Sequence, residues 1–208
     1  MPFSSRRSFG FTLIELMVTL AVILILGMLA LPSFISLRQR SALRGASEQV
    51  VGFWTQARLE AAKRNQMVKV GVATNGSNFC LGAATTTDPA DTTPCDCFTA
   101  NACDVSGFPA PPLTNFDTQS EWRGVTFVTV NGTTPTLGGT NNKVAVIEPK
   151  RAGLTSGSAP GALTFAGPPG NKSYQLNFVA DQFGRSILCE SALAVDHMSD
   201  YGNRSCSP

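Results

Sequence analysis

Residues 6–40 of this chain read RRSFGFTLIELMVTLAVILILGMLALPSFISLRQR, and most of the expected architecture follows from them. Residues 16–37 carry no charge and consist almost entirely of Met, Val, Leu, Ile, Ala and Gly. As an α-helix this segment is about 33 Å long at about 1.5 Å per residue, which is enough to cross the hydrocarbon core of a bilayer. Arginines flank the segment on both sides. The pattern predicts a membrane-crossing helix near the amino terminus.

Two simpler interpretations of the apolar run are a secretory signal peptide and a plain membrane anchor. A signal peptide needs a small-residue cleavage site after its apolar run, followed by ordinary mature sequence. Here the apolar run continues directly into a helical pattern. Neither interpretation explains Glu15, because a carboxylate beside a membrane span is costly and indicates a function.

The hexapeptide GFTLIE from Gly10 to Glu15, preceded by a basic leader, resembles the signal of type IV prepilins and type II secretion pseudopilins. The resemblance implies cleavage between Gly10 and Phe11 by a prepilin peptidase, removal of residues 1–10 and N-methylation of Phe11. It also implies that residues 11–37 first cross the membrane and later bundle with other subunits in a filament core. There Glu15 is expected to pair with the amino terminus of a neighbouring subunit.

The helix is predicted to continue through residues 38–66 as an amphipathic half. Apolar residues recur there at steps of three and four, which predicts one buried face. In the preceding apolar half, Pro32 lacks an N–H and is predicted to kink the helix or to melt it locally. The positions on the predicted buried face are Leu43, Ala46, Val50, Phe53, Ala57 and Ala61.

A second resemblance lies at the end of this helix. Residues 57–65, ARLEAAKRN, are similar to the A-R-x-E-A-x-x-R-N stretch of GspH/FimT minor pilins, where the stalk helix meets the first strand. Beyond Val72 the likeness is looser, although residues 174–178, the Gly184-Arg185 pair and Cys189 resemble that family's closing segment. The resemblance implies an α+β, type IV pilin-like fold, in which a long amino-terminal helix packs on a β-rich head.

The remaining residues, 67–208, are predicted to form a β-rich periplasmic head, and about 140 residues suffice for one core. Clusters of Gly, Pro, Asn and Thr separate the strand-like runs. Much of the segment between Cys80 and Phe116 is turn-rich and is predicted to be an irregular loop held by disulfides. The predicted strands are residues 67–72, 122–130, 143–147, 162–166, 174–179 and 186–189.

Six cysteines are expected to form up to three disulfides, because the resemblance places the head in the oxidising periplasm. The resemblance also implies that Cys189 pairs with Cys206, as in the carboxy-terminal loop of many type IV pilins. The other four allow three connectivities, which stay open. A zinc site is the alternative, but a single residue between two ligands is unusual for structural zinc. We expect no metal and no cofactor. The four remaining cysteines are Cys80, Cys95, Cys97 and Cys103.

Two filament machines are consistent with these features. The first function is that of a minor pilin that helps to initiate or cap a type IV pilus and so supports twitching motility. The second is that of an H-type minor pseudopilin of a type II secretion system. In both cases the expected partners are other pilins or pseudopilins, the prepilin peptidase and an assembly platform in the inner membrane. The six cysteines favour the pilus, since secretion pseudopilins usually carry fewer disulfides.

A third function is DNA binding during natural transformation, as in some members of the resembled family that carry a Gly-Arg-x-Arg motif. Here Ile187 stands where the second arginine belongs, and residues 70–208 carry seven bases against eleven acids. DNA binding depends on local basic charge. Because the head is acidic overall and the motif is incomplete, DNA binding is left open but is not favoured. The candidate DNA contacts are Lys150, Arg151 and Arg185.

An enzymatic function is not expected. His197 is the only histidine, and Ser191 and Asp196 lie too close to it in sequence to provide the separated elements that build a catalytic triad. The chain contains no phosphate-binding glycine loop and no zinc-protease signature. The net charge of +2 does not argue for nucleic-acid binding by the whole chain. We therefore expect the substrate of a processing enzyme rather than an enzyme.

Overall fold

The computed structural model describes residues 10–75, 78–91, 97–98, 103, 113–114, 124–130, 143–155, 161–170, 172–202, 204 and 206. Within this part of the chain one helix, α1 (Leu13–Arg64), precedes eight strands. The strands are β1 (Met67–Asn75), β2 (Asn78–Thr86), β3 (Leu113–Thr114), β4 (Thr126–Val130), β5 (Lys143–Ile147), β6 (Gly161–Ala166), β7 (Gln175–Ala180) and β8 (Ser186–Glu190).

The strands form two antiparallel sheets, in the orders β3-β2-β1-β5 and β4-β6-β7-β8. The carboxy-terminal half of α1 packs on β1 and β5 of the first sheet and on β7 and β8 of the second. Its apolar face therefore closes one core that both sheets share. The predicted α+β fold, with a long helix packed on a β-rich head, is confirmed.

The 52-residue helix α1 has defined caps at both ends. Thr12 is the N-cap, and its side chain accepts a hydrogen bond from the backbone N–H of Glu15 at 3.3 Å. At the other end Asn65 takes the left-handed conformation with φ of 51°, and its N–H lies against the carbonyls of Ala61 and Ala62. Asparagine tolerates this conformation better than most residues. A helix of this length extends roughly 78 Å.

The helical conformation continues through Pro32 without interruption, so the predicted local melting at that residue is wrong. Proline removes one backbone hydrogen bond. The helical residues on both sides of Pro32 keep their conformation despite this loss.

The predicted buried face of the second half of α1 is confirmed. Each of its six apolar positions is buried, and so are Gln39, Ser47, Trp54 and Glu60, which the periodicity did not indicate. The core that they enter contains the large buried side chains of Tyr174, Phe165 and Phe178.

The prediction of an irregular loop after Cys80 is wrong for residues 113–114, which form β3 beside β2, and for the residues up to Thr86. The latter belong to β2, which pairs with β1 at nine positions, from Met67 opposite Thr86 to Asn75 opposite Asn78. The run GAA at residues 82–84 of β2 has weak strand propensity by itself. Pairing with β1 and burial of residues 79–84 supply the stability that local propensity does not.

The other predicted strands lie close to those observed. β5 has the predicted bounds, β6 and β8 each gain one residue, β7 begins and ends one residue later, and β1 extends three residues further. Of the predicted strand 122–130, residues 126–130 form β4, whereas residues 122–123 lie outside the described residues.

Candidate functional site

The predicted cleavage position lies just before α1. Gly10 and Phe11 precede the first helical residue, Leu13, and the side chain of Phe11 is 79% exposed. A side chain added at Gly10 would meet no atom within 4 Å. The Gly10–Phe11 peptide bond is thus outside the helix and open to an enzyme. Residues 1–9 of the leader lie outside the described residues.

Glu15 lies in the first turn of α1, at the third helical residue after the N-cap Thr12. A Thr-x-x-Glu sequence at a helix start is the pattern of a capping box, and the helix dipole favours a negative charge there. In the described chain no cation lies within ion-pair distance of this carboxylate. The hydrogen bond to Thr12 fixes the backbone of Glu15 at the helix start, and its side chain is exposed.

The first half of α1 presents apolar side chains on all sides. From Phe11 to Leu37 its large apolar residues are exposed, and none of them contributes to the core. By length and composition this part of the helix is able to cross a membrane. A soluble monomer rarely exposes an apolar surface of this extent. The segment therefore needs lipid or other subunits around it.

The segment ARLEAAKRN joins α1 to both sheets. Ala57 and Ala61 are fully buried against the core. Between them, Arg58 donates through Nε to the carbonyl of Ala152 at 2.7 Å and through Nη2 to that of Phe183 at 3.3 Å. Arg58 thereby ties the helix to two turns that lie far apart in sequence.

Trp54 and Gly184 complete this attachment. Trp54, only 2% exposed, donates from Nε1 to the carbonyl of Gly184 at 2.9 Å and packs edge-on against Phe178. Gly184 has φ of +76°, and a β-carbon there would collide with the carbonyl of Ala152 and with Arg58. The turn therefore requires glycine. In the sequence, Gly184 is indicated only by the family resemblance, and no pattern indicates Trp54.

Glu60 and Arg64 form an ion pair at the end of α1. Glu60 is 6% exposed, and its carboxylate accepts a hydrogen bond from Nε of Arg64 at 2.7 Å, with Lys63 Nζ at 3.6 Å. The hydrogen bond from Arg64 is the largest influence on the pKa of Glu60 and holds it below its ordinary value, although burial acts in the opposite direction. The pair stabilises the last turn of the helix.

Two disulfides lie within the described residues with known partners. Cys80 in β2 is bonded to Cys97, with their Cα atoms 6.1 Å apart, and Cys189 in β8 is bonded to Cys206, with Cα atoms 5.4 Å apart. Cys103 is also disulfide-bonded, and Cys95 lies outside the described residues.

The alternative of a zinc site needs thiolates at Cys80 and Cys97, which the structure joins in a disulfide. In the described part of the chain no group of three or more His, Cys, Asp or Glu residues is placed to hold a metal ion.

The loop closed by the Cys189–Cys206 disulfide is fixed by carboxylates. Asp196 accepts from Lys172 Nζ at 2.8 Å and from the Ser173 N–H at 2.7 Å. The hydrogen bond from Lys172 is the main reason that the pKa of Asp196 lies below its ordinary value. His197, 77% exposed, lies 3.1 Å from a carboxylate oxygen of Glu190. Asp196 thus faces Lys172, and the geometry of a Ser-His-Asp triad is not formed by these described groups.

The three candidate DNA contacts lie on two neighbouring turns. The turn with Lys150 and Arg151 is linked to the turn before Arg185 by a backbone hydrogen bond from Leu154 to Gln182 at 2.9 Å. Acids neutralise part of their charge, since Arg185 Nε donates to Asp181 at 2.7 Å. The side chain of Lys150, another of the three candidate contacts, is exposed.

The pKa of Asp181 is subject to opposing influences. Burial of the carboxyl raises it, whereas hydrogen bonds from the side chain and backbone of Arg185 lower it, and the net pKa lies below the ordinary value. Asp181 is therefore negatively charged at neutral pH and offsets the charge of Arg185. The second neighbouring acid is Glu148, 3.8 Å from Arg151.

The methylation signal, the exposed apolar helix and the antiparallel head together define a type IV pilin-like or pseudopilin-like protein. Residues 5–31 match the family described as the prokaryotic N-terminal methylation motif. This motif implies processing by a prepilin peptidase and assembly with other pilins. The match ends before residues 57–65, which carry the resemblance to GspH/FimT pilins. No curated protein matches the chain, and no solved structure does.

Proposed function

We propose that this protein is a minor pilin of the GspH/FimT type that helps to initiate or cap a type IV pilus. The observation that carries the proposal is the methylation motif at residues 5–31, whose apolar helix continues directly into the core of a folded head. Cleavage between Gly10 and Phe11 removes the basic leader and leaves the apolar helix attached to that head. The role is structural rather than enzymatic.

Before assembly the apolar half of α1 lies in the inner membrane, with its amino terminus on the cytoplasmic side and the head in the periplasm. After extraction, the same side chains bury one another in the filament core. In that core the carboxylate of Glu15 needs a charged partner. The methylated amino group of Phe11 on a neighbouring subunit provides one. This pairing accounts for a carboxylate that is held at the helix start without a cation of its own.

The choice of a pilus over a secretion pseudopilus rests on the disulfides. The Cys80–Cys97 and Cys189–Cys206 bonds strengthen a head that contains few charged residues and many turns. Such cross-links suit a subunit exposed outside the cell. Deletion of the gene tests the choice when twitching motility, secretion of proteins and DNA uptake are measured in parallel. Loss of twitching alone supports the proposal, whereas loss of secretion alone supports the pseudopilin and loss of DNA uptake alone supports the DNA-binding pilin.

Processing is tested by the Gly10→Val substitution, with Gly27→Val as a matched control. Both glycines have open space around them, and only Gly10 adjoins the cleavage position. We expect G10V to accumulate as the unprocessed form on a gel, because the branched side chain blocks the peptidase. We expect G27V to be processed normally. Normal processing of G10V would contradict the predicted cleavage position.

The role of Glu15 is tested by Glu15→Gln in the deletion strain. The substitution keeps the backbone N–H that Thr12 caps and removes only the charge. We expect normal processing but poor incorporation into sheared filaments. Wild-type incorporation would contradict pairing with Phe11.

A further inference from the structure

A groove lies where α1 leaves its exposed apolar half and enters the head. We call it the neck groove; it has a volume of about 640 Å³. One wall is the helix, and the other is the Pro168-Pro169 turn together with Gly124. The helix contributes Ile35, Arg38 and Ser41.

Gln39 builds this groove. It is 3% exposed, and its Nε2 donates to the carbonyl of Pro168 at 2.8 Å and to that of Lys172 at 3.0 Å. Gly170 is needed for this approach, because a β-carbon there would collide with the amide of Gln39. The proline turn is therefore held at a fixed distance from the helix, so the groove is a built feature of the fold.

Three arginines of α1 lie at or near the neck groove, and two of them have hydrogen-bond or ion-pair partners. Arg40 donates to the hydroxyl of Tyr174 at 2.9 Å and lies over its ring at 5.0 Å. Arg44 pairs with Glu48 at 3.1 Å and with Asp200 at 3.5 Å. Arg38 is different, because among the described residues its guanidinium has no hydrogen-bond or ion-pair partner.

We propose that the neck groove binds the phosphodiester headgroup of a membrane phospholipid through Arg38 while the subunit is in the bilayer. This inference rests on the membrane-anchored stage of the proposed function. Arg38 directly follows the last residue of the exposed apolar segment, Leu37, which places its guanidinium at headgroup depth. Guanidinium groups bind phosphate oxygens in a bidentate manner, and arginines near the ends of membrane helices extend their charged groups to the headgroup interface.

The remaining groove walls fit the same ligand. Ile35 lies on the membrane side of Arg38 and offers an apolar surface to the beginning of an acyl chain, whereas the Ser41 hydroxyl lies one turn above and can donate to a phosphate oxygen. A free phosphate has no acyl chain to contact Ile35. The arrangement of charge above an apolar surface therefore favours a phospholipid over a soluble anion.

The test uses the full mature chain, from Phe11, purified in detergent micelles and analysed by native mass spectrometry. Three probes separate the contributions: phosphatidylglycerol, diacylglycerol with the same acyl chains, and glycerol phosphate. We expect phosphatidylglycerol to be retained and the other two to be lost. In Arg38→Gln its retention falls about tenfold, the loss expected for one charge-assisted contact. The matched control, Arg44→Gln, removes the same charge from an arginine that already has partners and changes retention less than twofold.

The outcomes that contradict the lipid site can be told apart. Equal retention by R38Q and the wild type overturns the lipid site, and an equal decrease in R44Q means that only general positive charge attracts the lipid. If R38Q retains lipid but enters filaments poorly, Arg38 contacts a neighbouring subunit instead. If the wild-type chain does not fractionate with membranes in cells, the anchored stage of the proposed function fails as well. Because Arg38 makes no hydrogen bond or ion pair with a described group, R38Q is expected to fold, and unchanged tryptophan fluorescence, to which Trp54 contributes, checks this.

Discussion

Trp54, Arg58 and Gly184 show how single residues attach the helix to the second sheet. Trp54 and Arg58 are one turn apart on α1, and both donate to carbonyls of the turn between β7 and β8. Arg58 also reaches the carbonyl of Ala152. The attachment is specific because each donor meets a backbone acceptor, and it depends on a turn that accepts no side chain at residue 184.

The first prediction concerns Gly184→Ala. The positive φ costs an alanine about 1 kcal/mol or more, and its β-carbon would displace Ala152 or Arg58. We expect a loss of about 2–3 kcal/mol in the free energy of unfolding. Denaturant unfolding of the full chain in micelles, followed by tryptophan fluorescence, measures the loss, and Trp54, one of the two tryptophans, lies at the attachment itself.

The control for this prediction is Gly52→Ala. Gly52 lies on an exposed position of α1 with open space around it, so alanine is expected to be neutral or to stabilise the helix by up to about 1 kcal/mol. If G184A is as stable as G52A, the turn accommodates a side chain and the proposed attachment is not needed for stability.

At the scale of elements, the Cys80–Cys97 and Cys189–Cys206 disulfides each connect a strand to a cysteine outside the sheets. Cys80 lies within β2 and Cys189 within β8, and both are fully buried. Each bond therefore ties Cys97 or Cys206 to a strand of one sheet. The loop after β8 has further anchors at Asp196 and Glu190.

The second prediction is that the Cys189→Ala and Cys206→Ala double variant loses stability. Removing a cross-link between cysteines 17 positions apart is expected to cost about 3 kcal/mol in the chain-entropy description. We also expect faster proteolysis between residues 191 and 206, since the tail is released at one end. Denaturant unfolding and limited proteolysis measure the two effects.

Peptide mapping without reduction provides the control. It should recover the Cys80–Cys97 and Cys189–Cys206 links from the wild type, and the double variant should lose the second link and keep the first. Unchanged stability and unchanged proteolysis would mean that the carboxylate anchors alone hold the loop.

Among the elements, α1 was the most predictable, whereas β2 and the two-residue β3 were not predicted as strands. The steps of three and four along the second half of α1 already indicate the buried face, because a helix of 3.6 residues per turn aligns those positions. β2 lacks such a local signal, since its run of small residues is stable only beside β1. Trp54 and Arg58 likewise have partners more than 90 positions away, which no local pattern reveals.

At the scale of the whole molecule, charge is divided along the chain. Residues 38–69 carry seven bases against two acids, whereas residues 70–208 carry more acids than bases. Some ion pairs join distant segments, namely Asp196–Lys172 and Lys69–Asp91. Others lie at the ends of elements, namely Glu60–Arg64 and Asp181–Arg185. Carboxylates that remain charged therefore contribute to the stability of the fold.

The third prediction is a loss of stability in acid. The pKa values of Glu60, Asp181 and Asp196 lie below their ordinary values of 4.5, 3.8 and 3.8. In acid the unfolded chain therefore takes up protons more readily than the folded chain. Their contribution is fully present above about pH 4.5 and is lost as the pH falls through the lower folded values. Denaturant unfolding between pH 7 and pH 3 measures this decline.

The Asp196→Asn variant tests the source of the decline. It is expected to be less stable than the wild type at pH 7 and to show a shallower dependence on pH, because one of the titrating carboxylates is gone. A decline that is equally steep in the variant, or stability that stays constant down to pH 3, would show that this ion pair does not contribute.

Residues 6–64 by themselves predict the long apolar helix and the amphipathic half that follows it, because hydropathy and helical periodicity are local properties. They also contain the basic leader and the acid at the start of the helix. Only the tertiary structure decides the order of the strands, the partner of Cys80, the attachment of Arg58 and the neck groove beside Arg38. All four form when distant segments meet, because burial and hydrogen bonding between segments outweigh the weak local propensities of turns and small residues.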